Sequence, residues 1–354
     1  KPSSAASDVY KRQDIPYPAD YGGVIDVFYK IKALAAMQVQ VHLHCYYHQR
    51  HPHAELERYC TSVHYYKRDM GWWNHLRILP FTVCSRPIKA LRKTLLQDQY
   101  PIIAEVLHTI RIFKDPALQH RLKIYRHSNI EHQYYRALAR AESQVLKKLY
   151  LYLESFKLLY FETYVKYATQ VWAVNRLDAV QLQNRYPKVL NYYIPSFNGH
   201  AAPVIKPGTG DYILFHGNLN IAENILALDW IINALQHIHI KLIVAGKCNE
   251  RSLQSKLKSY SWIQLVCSPD FDTMHQLISN AHVHVLYTHQ STGLKLKLLE
   301  VLFHGRYVVC NSLMLNGTAF NANRIWGLHV ADRPQDFANT VKQLMQKQCV
   351  PDIA

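Results

Sequence analysis

The sequence predicts an α/β protein of two halves, each a parallel sheet covered by helices on both faces. Three observations predict it. Short apolar runs alternate with stretches of helical period along most of the chain, and strands alternating with helices imply parallel pairing through crossover helices. The alternation is interrupted between Tyr192 and Asp211, where "YYIPSFNGHAAPVIKPGTGD" holds three prolines, three glycines and little periodicity, as a linker does. The 354 residues suffice for two or three domains, and 49% hydrophobic against 19% charged residues excludes a disordered chain. Two such halves read as Rossmann-like domains with a cleft between them.

The elements follow in order. "KPSSAASDVYKRQ" (Lys1 to Gln13) is small, polar and aperiodic, without the apolar core of a signal peptide. It reads as a non-native leader, so the first strand of the first domain is expected to be missing. Gly22 and Gly23 open a helix whose Val24, Val27, Phe28, Ile31, Leu34 and Ala35 share one face. "VQVHLHC" alternates as a strand. Residues 50–100 carry aromatic and basic residues and a helix near Ile88–Leu96. "PIIAEV" and "RLKIYRHSN" contain strands. The run from Ile130 to Val165 is continuously helical in pattern, "QVWAVN" is a strand, and a helix follows near Leu177–Arg185. These belong to a first domain over 14–195, with the linker at 196–211.

The second domain, 212–354, alternates more cleanly. "YILFHG", "IKLIVAG", "IQLVC", "VHVLY" and "YVVC" are strands. Asn224–Leu235, Leu253–Tyr260, Met274–Ala281 and Leu294–His304 are helices, and "VKQLMQKQCVPDIA" reads as a final helix that stops at Pro351. No run reaches ~18 apolar residues, so no membrane-spanning helix is expected. The seven cysteines are odd in number, spaced singly and without CxxC pairs. They read as reduced thiols of a cytoplasmic protein, with neither a zinc ribbon nor a disulfide framework.

Lys and Arg number 41 against 25 Asp and Glu, a formal charge of +16 that calls for an anionic partner. The most informative stretch is "VHVLYTHQSTGLKLKLLEVLFHGRYVV". A strand ends at Tyr287 and a helix starts near Gly293, so free N–H groups and the helix dipole form an anion site. Lys295 and Lys297 stand in the first turn, where the dipole favours acids; an anion nearby would account for them. Glu300 lies seven residues past Gly293, about 10 Å along the axis at ~1.5 Å per residue. That spacing suits a diphosphate at the helix start and a ribose hydroxyl at the acid. An ordinary helix with solvated lysines fits the same spacing.

These segments resemble a known family. "STGLKLKLLEVLFHGRYVVCN" is similar to the nucleotide-binding helix of family 4 glycosyltransferases, closest to a bacterial subgroup with G-[TS]-G-x-[RK]-x-K-x-L-E. "YILFHGNLNIAENILALDWII", "PADYGGVIDVFYKIKAL", "PIIAEVLHTIRI" and "RHSNIEHQYY" resemble further segments of that subgroup, in the right order. The resemblance implies the GT-B fold, a nucleotide-sugar donor, retaining transfer, and neither metal nor cofactor. It places Gly22 and Gly23 at the loop that approaches the donor diphosphate, and Thr292, Gly293, Lys295 and Lys297 at the phosphate-binding turn. Glu300 falls on the ribose-binding acid. His108 falls on the histidine facing the donor sugar, with Glu105 before it, and Asn129 and Glu131 fall in the acceptor-side loop.

The chain departs from the pattern at four places. Thr292 replaces the first acid of E-x7-E, Val106 stands where glycine is usual, and Ser128 replaces a histidine with His127 beside it. Asn218–Asn220 lacks a basic residue that many relatives use for the phosphate. The implied function is transfer of a hexosyl group, such as mannosyl or glucosyl, to a glycan or lipid-linked acceptor in polysaccharide assembly. "KRDMGWWNHLR" joins cations to paired tryptophans and suits peripheral contact with an anionic membrane face. Two other readings stay open. One is a GT-B scaffold that binds or epimerises a nucleotide sugar. The other is a basic nucleic-acid-binding protein, although nucleic acid is not the expected partner because no RNP, helix-turn-helix or zinc signature is present.

Overall fold

The computed structural model describes residues 8–12, 15–19, 22–142, 144–289 and 296–351. The chain divides into two compact units, the first running through Gly199 and the second starting at His200.

The first unit contains strands β1 (Asp8–Arg12), β2 (Val41–Tyr47), β3 (Ser62–Lys67), β4 (Ile102–Glu105), β5 (Lys123–His127), β6 (Gln170–Ala173) and β7 (Leu190–Tyr193). Its helices are α1 (Gly22–Ala36), α2 (Phe81–Cys84), α3 (Lys89–Leu95), α4 (Glu131–Ala141), α5 (Val145–Glu162) and α6 (Arg176–Arg185). The strands form one parallel sheet in the order β3-β2-β1-β4-β5-β6-β7. This corrects the expectation that the first strand is missing. Asp8–Arg12 forms it at the centre of the sheet, with Tyr10 in register with Leu43 on one side and Ile103 on the other. The segment carries no apolar run, and its backbone pairs with β2 and β4 through ladder hydrogen bonds open to any non-proline residue.

Successive strand residues serve opposite faces. Val41, Leu43, Cys45, Ile103 and Ile124 pack with Val27, Phe28 and Ile31 of α1. Ile102, Ala104, Tyr125 and Val171 pack instead with Ile110, Phe113, Leu158 and Phe161. Each fully buried Val, Leu, Ile or Phe among them contributes roughly 1.5–3 kcal/mol.

Two features of this unit depart from the sequence reading. β3 and β7 are edge strands, and at the edge only part of each side chain is covered, so neither carries a clear apolar run. The helical run from Ile130 is two helices, α4 and α5. Glu142 accepts from Gln144 N (3.0 Å), and Lys148 N then donates to Gln144 O (2.8 Å), which starts α5. The pair folds back as an antiparallel hairpin in which Ser155 Oγ donates to His132 O (2.7 Å).

The second unit contains β8 (Ile213–His216), β9 (Leu242–Gly246), β10 (Ile263–Cys267), β11 (Val283–Leu286), β12 (Tyr307–Cys310) and β13 (Leu328–Val330). Its helices are α7 (Ala222–Leu235), α8 (Glu250–Leu257), α9 (Phe271–Asn280), α10 (Leu296–His304), α11 (Ser312–Leu315) and α12 (Pro334–Met345). The sheet is parallel, in the order β10-β9-β8-β11-β12-β13. Ile213, Phe215, Val244, Val283 and Val309 face α7 and α12, while Leu214, Ile243, Leu286 and Val308 face α9 and α10. Side-chain caps fix helix starts at Asn249 and Asp270, each worth about 1 kcal/mol.

The last helix ends at Met345, short of Pro351, because Cys349 instead exchanges backbone hydrogen bonds with Gly208 (2.9 Å each way). The cysteine reading is also corrected. Cys248 and Cys267 form a disulfide, with Cα atoms 5.6 Å apart. Parallel pairing of β9 and β10 brings together residues nineteen apart in sequence, an adjacency that spacing alone does not reveal.

Candidate active site

In an open parallel sheet, ligands bind beyond the carboxyl ends of the strands where the strand order reverses. In the first unit that point lies between β1 and β4. It is served by the start of α1 at Gly22–Gly23 and by the loop after Glu105.

The floor is a buried ion network. Lys30 Nζ lies 2.7 Å from Glu105 and 3.1 Å from Asp26. Arg126 donates twice to Asp26 (2.9 and 3.2 Å) and also to Ile194 O and Pro195 O. Ser196 Oγ and Phe197 N complete the shell of Asp26 (2.9 and 2.8 Å). Burial pushes the Asp26 carboxyl up. The charges of Lys30 and Arg126, with hydrogen bonds from Arg126 and Phe197, outweigh it and hold the group well below the carboxylate range. Glu105, the first of the expected site residues, is thus engaged with Lys30 at the base of the site. Asp26, Lys30 and Arg126 were not singled out from sequence; their signal is a helix face that mixes Asp26 and Lys30 into an apolar stripe.

Val106 follows with φ 62° and ψ 159°, a conformation that is an outlier for a β-branched residue. It turns the chain into a 3-10 segment, Leu107–Lys114, and places His108 and Thr109 in the interior. His108 Nδ1 shares a hydrogen bond with Thr82 Oγ1 (3.1 Å), and its Nε2 lies 3.8 Å from Glu131 Oε2. Burial, then Arg86 and Arg68, drive the His108 imidazole well below its ordinary value, so it is neutral. Burial pushes the Glu131 carboxyl up to about 7, against the pull of Arg86. Sequence reasoning paired these two only through resemblance; the fold brings them together from the 3-10 segment after β4 and the first turn of α4. Asn129 precedes Ile130, the cap of α4, and its Oδ1 is buried with no hydrogen-bond partner among the described residues. A chain missed from sequence, Tyr125 OH to His127 Nδ1 (2.9 Å) and His127 Nε2 to Asp178 (3.2 Å), fixes the end of β5 beneath this loop.

In the second unit the reversal lies between β8 and β11. Thr292, Gly293 and Lys295 lie outside the described residues. Lys297 is on the first described turn of α10, 5.7 Å from the centroid of the Phe215 ring, and donates to Asn224 Oδ1 (3.3 Å). Asn224 in turn donates to Asn218 O (2.9 Å). This brings a cation beside the Asn218–Asn220 loop, which carries no basic residue of its own. Thr288 is clamped by Asn311 through its N–H (3.2 Å) and carbonyl (2.8 Å), and its hydroxyl donates to Glu223. Burial, then Lys297, push His216 at the end of β8 down to about 3, so it is uncharged. Gly246 packs so closely on the adjacent strand end that a Cβ there would stand 1.8 Å from Gly217 O. Glu300, half-buried on α10, meets His200 Nε2 at 3.0 Å. Lys297 and Glu300 share one face of the helix at i, i+3 spacing. This arrangement can hold an anion near Lys297 and a hydroxyl-bearing group at Glu300.

The comparisons fit this geometry. Residues 210–347 match the family model of glycosyl transferases group 1. An uncharacterized 44.6 kDa protein in the cps region of Klebsiella pneumoniae is 26% identical over 334 residues, covering 87% of this chain and 83% of that protein. Among solved structures, sucrose-phosphate synthase from Thermosynechococcus elongatus aligns with a TM-score of 0.67 at 14% identity, over 96% of this chain and 90% of the other. HepE of Anabaena, in complex with UDP and glucose, gives 0.58 at 12% identity, over 97% and 90%. WaaG, a glycosyltransferase involved in lipopolysaccharide biosynthesis, gives 0.58 at 15% identity, over 96% and 90%. Residues 210–347 thus match the group 1 glycosyl transferases, and the chain, with its two parallel sheets, has the GT-B fold.

Proposed function

We propose that the enzyme is a retaining, metal-independent hexosyltransferase. Its donor is a nucleotide-diphosphate sugar and its acceptor a glycan or lipid-linked saccharide in polysaccharide assembly. The observation that carries this reading is the switch point of the second sheet, where Lys297 and Glu300 lie on one face of α10. The UDP and glucose bound by HepE and the lipopolysaccharide role of WaaG support the donor and acceptor classes.

In the reaction the bond from sugar C1 to the diphosphate oxygen breaks, leaving negative charge on the diphosphate and an oxocarbenium-like sugar. Lys297, Lys295 and the N–H groups at the start of α10 stabilise the leaving group, the largest lever available to such a site. A neutral His108 hydrogen-bonds the sugar without adding positive charge beside the developing cation. Glu131, with a proton affinity near neutrality, binds the acceptor hydroxyl. The new C1–O bond forms on the face the diphosphate leaves, and the acceptor proton passes to a phosphate oxygen. Glu105 positions the loop that carries His108.

A thermal-shift panel of nucleoside diphosphates and nucleotide sugars, with and without EDTA, tests this reading. Binding raises the melting temperature. We expect one nucleotide to shift the wild type with or without EDTA, and Glu300→Ala and Lys297→Ala to lose the shift. No shift from any nucleotide, or full shifts in both variants, would refute the donor site.

The acceptor side carries a second observation. Val145, Leu146, Leu149, Leu153, Phe156 and Tyr160 are all exposed and fall within about 100° of arc on α5. Exposed Trp72, Trp73, Leu76 and Ile78 lie beside them, tied to α5 through His75 and Tyr150 (3.0 Å) and Lys157 Nζ to His75 O (2.8 Å). Arg77 and Lys147 are exposed at the margin. This apolar face with basic edges suits an anionic lipid surface, and we place the enzyme in the cytoplasm against the inner membrane face. Among the described residues no helix is long and apolar enough to cross a membrane. Co-sedimentation with phosphatidylglycerol vesicles, lost in Leu149→Ser/Phe156→Ser, is the expected result; pelleting unchanged by that variant would refute the face.

A further inference from the structure

We propose that His200, Glu300 and His304 bind a divalent transition-metal ion of the zinc class, and that this ion competes with the nucleotide for Glu300. The ligand site stands on its own geometry; the competition rests on the donor reading above.

Glu300 and His304 lie one turn apart on the same face of α10. His200 reaches both from the segment that precedes β8. Its Nε2 is 3.0 Å from Glu300 Oε2, and its Nδ1 is 2.9 Å from His304 Nε2. Two contacts fix it there: the His200 ring stacks on Phe303 at 4.9 Å between centroids, and Val204 N donates to Phe303 O (2.7 Å). The ring of His275 on α9 closes the cluster, 4.8 Å from that of His304.

One ligand atom from each of His200, Glu300 and His304 lies within 4.8 Å of the others. A tetrahedral ion with bonds of about 2.0–2.2 Å needs donor atoms ~3.4 Å apart; the His200–Glu300 pair at 3.0 Å must open slightly and any wider separation must close, adjustments that rotation of partly exposed side chains supplies. Two imidazoles and one carboxylate suit zinc, and three protein ligands leave one position open. No such set is visible in the sequence, where the first ligand stands a hundred residues before the second. The ion would take the carboxylate oxygen proposed to receive the ribose, so it inhibits a reaction that needs no metal of its own.

The untagged full chain is titrated with Zn²⁺ against a chromophoric chelator, and with Co²⁺ followed by visible absorption. We expect one saturable site per chain, weakened at least tenfold in His200→Ala and in His304→Ala and retained in His237→Ala, an exposed histidine elsewhere. Nucleotide affinity should fall at least tenfold when the wild-type site is filled with Zn²⁺. Absence of saturable binding, or equal binding in the His200 and His304 variants, overturns the site. Zn²⁺ bound there with nucleotide affinity unchanged overturns the competition. Nucleotide binding in metal-free buffer, compared between wild type and Glu300→Ala, judges the donor reading separately.

Discussion

Replacing Glu131 by Gln should stabilise the protein at alkaline pH while damaging catalysis. The folded carboxyl holds its proton to about pH 7, whereas in the unfolded chain it loses it near the ordinary value of 4.5. Between those values the folded state binds a proton that the unfolded state has released. Stability therefore falls as pH rises through the window and levels off above it. A shift of about 2.5 units at 1.36 kcal/mol each gives about 3 kcal/mol of penalty at pH 8, and under about 1 kcal/mol at pH 5. Gln keeps the size of the side chain and removes the titration. Urea denaturation of wild type and Glu131→Gln at pH 5 and pH 8 reads the difference directly, with a gain of about 3 kcal/mol expected only at the higher pH. The same variant should lose the ionisation near pH 7 from the pH profile of kcat. An equal stability change at both pH values would refute the burial argument.

Two further outcomes follow from backbone geometry. Val106→Gly exchanges a strained positive-φ valine for the residue that adopts φ 62° freely, and should raise stability by about 1 kcal/mol by urea midpoint; a loss would show that the strain is not stored there. Gly246→Ala drives a methyl into Gly217 O at φ 145° and should cost about 3 kcal/mol, seen as early melting of the second unit; a variant that melts like wild type would refute the close approach.

The sequence by itself determined the alternation of strands and helices, the break before β8 and the apolar faces of α1 and α10, because periodicity is a local property of the chain. It also marked Lys297 and Glu300, whose spacing along one helix is fixed once the helix forms. What it left open depends on neighbours far away in sequence. β1 has no apolar signal and is a strand because β2 and β4 flank it. β3 and β7 are half-covered edges with weak patterning. Glu105 was read as catalytic, but only the fold shows that Lys30 meets it. His108 and Glu131 acquire their unusual proton affinities from burial, which no local pattern encodes. Cys248 with Cys267, and His200 with Glu300 and His304, are likewise products of strand order and chain reversal. Electrostatics and metal chemistry act over a few ångströms in space, and the tertiary structure alone decides which residues come that close.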